Sequence, residues 1–133
     1  MVISYLTLDR ISENEFADVV TEALTAIFPH DPPRFMARIP HGYHDVQRIS
    51  RELTAPRFSN VSADVVDGKS RASSPRDPAM AYCQGTPLRN EIEVRDASRL
   101  EEATKRAAEA LAHRFGGGTI DGRIRAFVVE ATR

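Results

Sequence analysis

Apolar and polar positions alternate along Val2 to Leu8, with Ile3, Tyr5 and Thr7 on one side and Val2, Ser4, Leu6 and Leu8 on the other. A period of two with β-branched and aromatic residues predicts a strand. Both sides carry apolar side chains, so the strand is expected inside a layered sheet, covered on both faces. The pattern then lengthens to the helical period. Ser12 and Glu15 have the spacing of a capping box, and Phe16, Val20, Ala23, Leu24 and Ile27 form one stripe before Pro29, which predicts an amphipathic helix starting near Ser12. Four prolines between Pro29 and Pro40 predict an irregular connection, anchored by Phe35, Met36 and Ile39. A shorter helix is expected from about Asp45 to Leu53, with Val46, Ile49 and Leu53 facing the core and Pro56 as its stop.

Phe58 to Val66 alternates again and predicts a second strand, closed by a turn at Asp67-Gly68. Ser74-Pro75 and Thr86-Pro87 each pair a capping residue with a proline at the first helical position, so two short helices follow. The longest helix is expected over Ala97 to Phe115, with Asp96 as N-cap, Leu100, Ala103, Thr104, Ala107, Ala108, Leu111 and Phe115 as its stripe, and Gly116-Gly117-Gly118 as its end. Thr119 to Ala131 supplies a last strand. The order β-α-α-β-α-α-α-β suits one small layered α/β domain over residues 1–133.

Composition narrows the function classes. Hydrophobic residues make up 41% and charged residues 28% of the 133 positions, values of a folding globular chain. Eighteen basic and nineteen acidic residues give a net charge of −1, which provides no field for a phosphate backbone, so no nucleic-acid partner is expected. Arginines interleave with acids along Glu91 to Glu109, the pattern of a solvated ion-pair face. The single cysteine, Cys83, can form neither an intrachain disulfide nor a thiolate cluster and is expected as a small buried hydrophobe. The first residues carry no basic leader and no stretch approaches the roughly 18 apolar residues of a membrane span. A soluble cytoplasmic protein without membrane contact is expected.

The segment order, together with Asp9-Arg10-Ile11-Ser12-Glu13-Asn14-Glu15-Phe16-Ala17, Pro40-His41-Gly42-Tyr43-His44-Asp45 and Cys83-Gln84-Gly85-Thr86-Pro87-Leu88-Arg89, resembles the C-terminal part of a class I S-adenosylmethionine-dependent methyltransferase. The resemblance covers the chain almost end to end. It implies a three-stranded mixed sheet like the last strands of a Rossmann-like methyltransferase, with about five helices, in which the last strand is antiparallel and lies between the two before it. Leu8-Asp9 stands where the family has Trp-Asp, and Ala55-Pro56-Arg57-Phe58 stands where an Ala-Gly-Phe turn is usual. In the family the cofactor, S-adenosylmethionine, is held by a glycine-rich turn after the first strand and an acidic residue closing the second. These 133 residues have no counterpart of either segment. The expectation is a methyltransferase-like C-terminal module, catalytically incompetent alone and without a cofactor of its own. The alternatives are a small-molecule binding or interaction module with an apolar pocket lined by Phe35, Met36, Tyr43 and Tyr82, and one half of a split methyltransferase. The neighbour that the resemblance implies for the first strand is also absent, so the edge of residues 2–8 is expected to recruit a second copy into a homo-oligomer.

Four residues are candidates for binding a small-molecule substrate: Asp9, His41, Tyr43 and His44. Asp9 closes a strand, where ligands of α/β sheets gather, or else caps the turn before Ser12. His41 is suited to general-base work near neutral pH and Tyr43 to donating a hydrogen bond, yet the histidines equally suit helix capping and Tyr43 packing. The His41-x-x-His44 spacing lacks a third ligand, so no metal is expected.

Overall fold

The computed structural model describes residues 1–54 and 58–133. Three strands, β1 (Val2–Leu8), β2 (Asn60–Ala72) and β3 (Ile120–Thr132), form one sheet in the order β1-β3-β2. The small α/β unit is therefore present, an α+β arrangement with the last strand in the middle. β1 and β2 point the same way, but β3 separates them, so both ladders are antiparallel and the mixed sheet expected from the sequence contains no parallel pair. In register, Tyr5, Val129 and Ala63 lie abreast on one face, while Leu6, Val128 and Asp64 lie abreast on the other.

The helices are α1 (Glu15–Ile27), the single turn α2 (Phe35–Arg38), α3 (Val46–Thr54), α4 (Arg76–Gly85), α5 (Leu88–Asp96) and α6 (Leu100–Phe115). The expected stripes are the buried ones: Phe16, Val20 and Leu24 of α1 meet Ala103, Ala107 and Leu111 of α6, with Leu88, Ile92 and Cys83 filling between them. The small alanines let α6 approach both α1 and α4 closely. This layer covers the Leu6 face of the sheet at its Ile120 end, where Gly122 is required because a Cβ there would stand 2.6 Å from the Phe16 ring. Phe16 in turn meets Phe115 edge to face, with centroids 5.3 Å apart.

The opposite end of the sheet is built differently. Val129, Ala131 and Ile49 are buried there outside the main core, and α3 packs beside β2 on the Tyr5 face. Among the described residues nothing comparable covers the Leu6 face at this end, and Val2 and Leu6 are each 60% exposed. Among the described residues the covering expected on both faces of β1 is thus absent, and the strand is an edge strand with a partner on one side.

Two local expectations are also overturned. The chain does not turn at Asp67-Gly68. β2 continues to Ala72 because β3 extends beside it, with Asp67 facing Arg125 and Gly68 facing Ile124, and a run of ladder bonds outweighs one turn-favouring dipeptide. The capping box at Ser12 does not form either. A short 3₁₀ turn spans Ile11–Glu13 and α1 begins at Glu15, whose carboxylate is taken by the Arg123 amide at 2.7 Å and Arg114 at 2.8 Å. By contrast, the Thr86 hydroxyl accepts from the Leu88 amide and Asp96 accepts from that of Ser98, as caps should. The expected stop at Pro56 lies outside the described residues.

Candidate functional site

The carboxyl end of β1 is tied down by its own backbone. Asp9 N–H donates to the Arg125 carbonyl at 2.9 Å, extending the ladder one residue past Leu8. The Asp9 carboxylate accepts from the Arg10 amide at 2.7 Å, the turn-capping role open to an aspartate here. Asn14, 3% exposed, completes the corner: its Nδ2 donates to the Asp9 and Arg10 carbonyls, both at 3.1 Å, and its Oδ1 accepts from the Arg125 amide at 3.1 Å. One buried amide therefore joins β1, the start of α1 and β3.

The connection from α1 returns to this corner. Arg38 of α2 is held by Glu91 of α5 at 2.7 Å, and Met36 is buried in the main core. The His41 amide then donates to the Met36 carbonyl at 3.0 Å. Gly42 is obligatory at this fold-back, since a Cβ would lie 2.0 Å from the Arg38 carbonyl oxygen. His41 is 4% exposed, with Nδ1 3.0 Å from the Asp9 carbonyl oxygen. A carbonyl only accepts, so Nδ1 carries the hydrogen and Nε2 keeps the lone pair of a neutral ring. Burial pushes the His41 pKa down from 6.5, against the opposing pull of the Asp9 carbonyl and charge. The ring is thus neutral and oriented, as a general base requires, and it also fastens the loop to the sheet.

Tyr43 extends the site along β1. Its carbonyl accepts from Thr7 Oγ1 at 2.7 Å and its hydroxyl donates to Glu52 of α3, which also holds Arg48 at 2.8 Å. The hydrogen bond to Glu52 pushes the Tyr43 phenol up to about 12, so it stays protonated. Tyr5 is raised by its own burial and then by the Glu52 charge. His44 stands next in the chain with a buried Nδ1 that has no partner among the described residues. Asp9 and His41 are therefore in direct contact, while Tyr43 is directed to Glu52. The sequence gives no notice of Asn14, Thr7 or Glu52, since each acts on a residue it meets only after folding.

Two clefts of the surface lie away from these residues. One of about 470 Å³ is lined by Glu15, Asp67, Gly68, Lys69, Asp121, Gly122 and Arg123, and a hydroxyl-rich one of about 570 Å³ by Ser50, Thr54, Ser59, Ser62, Glu130 and their neighbours. None of the four predicted substrate residues lines either. The apolar pocket expected from Phe35, Met36, Tyr43 and Tyr82 is not formed: the first two and Tyr82 pack with the helical core, whereas Tyr43 points to Glu52. Cys83 is fully buried and its thiol is pushed up to about 11 by that burial, which suppresses the nucleophilic thiolate. Gly116, with φ of 107°, ends α6 in a conformation that favours glycine. Among the described residues no three His, Cys, Asp or Glu side chains converge as metal ligands, and no helix is long and apolar enough to cross a membrane. No protein-family model and no curated protein matches this chain.

Proposed function

We propose that residues 1–133 are a methyltransferase-like C-terminal module that does not transfer methyl groups by itself. The observation that carries this is the strand order β1-β3-β2, with the final strand inserted between the two earlier ones and antiparallel to both. That is the order implied for the last three strands of a class I methyltransferase. The corner at Asp9, held by His41 and Asn14, lies at the carboxyl end of β1, the end of a strand at which α/β enzymes bind their ligands. In this role Asp9 and His41 shape the substrate side, and His44 and Tyr43 offer the nearby polar groups. Neither β1 nor β2 is followed by a glycine-rich turn leading into a helix, so neither offers the cofactor loop that the resemblance implies for S-adenosylmethionine. The lone buried Cys83 accords with a reducing cytoplasm.

Calorimetric titration of the chain with S-adenosylhomocysteine, carried to millimolar ligand, tests the assignment. Flat heats are expected. Saturable 1:1 binding would overturn it, because a complete cofactor site would then exist in these residues or across their oligomer.

A further inference from the structure

Alternation of the ladder fixes which groups of β1 remain unused. Asp9 N–H donates to the Arg125 carbonyl and Arg133 N–H to that of Met1, both at 2.9 Å, so the odd-numbered residues of β1 bond to β3 and the even-numbered ones face away. Among the described residues the amides and carbonyls of Val2, Ser4, Leu6 and Leu8 therefore line an open edge, since β1 is the terminal strand of the sheet. The two outer edges differ in protection. β2 carries Asp64, Asp67, Lys69 and Arg71, whereas β1, from Val2 to Leu8, has no charged side chain. Charges are a common device by which edge strands refuse a partner, and β1 lacks it.

We infer that this edge pairs with the same edge of a second copy of the chain, antiparallel about a two-fold axis at Tyr5. In that register Val2 faces Leu8 of the other copy and Ser4 faces Leu6, so every outward amide and carbonyl finds a partner. A slip of two residues leaves one end unpaired. The interface is isologous, as closed dimers require. It sets Val2 beside Leu8 on one face and Tyr5 beside its own copy on the other, the kind of cross-strand apolar and aromatic pairs that stabilise sheets. Glu52 near Tyr5 does not oppose the approach with a bare charge, because Arg48 holds it at 2.8 Å. The inference rests on ladder geometry and is independent of the methyltransferase assignment.

Sedimentation equilibrium of the full chain at micromolar concentration should give twice the 14.8 kDa monomer mass. Ser4→Pro removes only an outward amide, which an edge strand tolerates, and should return the mass to that of the monomer with an unchanged circular-dichroism spectrum. If that variant does not fold, Leu6→Lys serves, by placing a charge on the same edge. Oxidation with glutathione disulfide should convert Tyr5→Cys, or a mixture of Ile3→Cys and Thr7→Cys, to a covalent dimer, while Ser4→Cys should remain uncoupled. Cys83 is fully buried and does not compete. A monomeric parent chain, or a dimer that survives both edge variants, would overturn the proposal. Coupling through Ser4→Cys in place of Tyr5→Cys would overturn its register.

Discussion

The two ends of this one sheet obey the same alternation and meet different fates. At the Ile120 end, α1, α4, α5 and α6 enclose a core in which Leu24, Ile92 and Leu111 are fully buried. At the Thr132 end α3 covers one face, and Leu6 on the other face stands 60% exposed. The difference teaches that an apolar residue in a strand records a demand for burial and not its fulfilment. The helical end satisfies its demand within the chain, while the open end leaves an apolar face and an unpaired strand edge side by side.

The contrast should be plainest in stability. Leu24→Ala deletes a side chain closed in on every side and is expected to cost about 2–5 kcal/mol, the range for large-to-small core changes. Urea unfolding monitored by circular dichroism would measure it. A loss below about 1 kcal/mol would mean that the helical end is no better packed than a surface, and the distinction between the ends would collapse.

The helical end was also the legible end. Its stripes repeat at a period that the backbone itself imposes, so Phe16, Leu24, Ala103 and Leu111 could be named before their partners were known. The candidate site was legible only in its residue types. Asn14 and the Arg125 amide it binds are 111 positions apart, and His41 and the Asp9 carbonyl are 32 apart. No local pattern encodes such meetings. The turn expected at Asp67-Gly68 and the capping box at Ser12 failed for a related reason: both are local preferences, and β3 extended the ladder past Asp67 while its Arg123 amide took the Glu15 carboxylate. For β1, the composition signalled two buried faces, but burial of the second face requires a partner that the sequence pattern does not identify.

An intermediate effect is expected from pH, because His41 fastens the loop before α3 to the β1 corner. Its folded pKa lies below the ordinary 6.5, so the unfolded chain binds the proton more readily. The stabilisation is full above about pH 6.5 and is lost as pH falls through 6.5 towards the folded pKa. Urea midpoints taken from pH 7.5 to pH 5 should therefore decline. His41→Gln should flatten that part of the slope, while carboxylates such as Glu52 and Asp121, held below their ordinary values by Tyr43 and Arg71 respectively, titrate further down. An unchanged slope in the variant would remove His41 from its place as the titrating anchor.

The smallest effect sharpens the comparison most. Leu6→Thr introduces a β-branched side chain suited to a strand and removes apolar surface that the single chain leaves mostly exposed. For the monomer, measured in the Ser4→Pro background, the change in unfolding free energy should stay within about 0.5 kcal/mol, the range of ordinary surface substitutions. The same leucine-to-smaller change that is costly at Leu24 would then be nearly free at Leu6, although both positions read as apolar members of a regular pattern. A loss near that of Leu24→Ala would show that Leu6 is buried in the isolated chain in solution, and the open end would have to be redrawn as a second closed core.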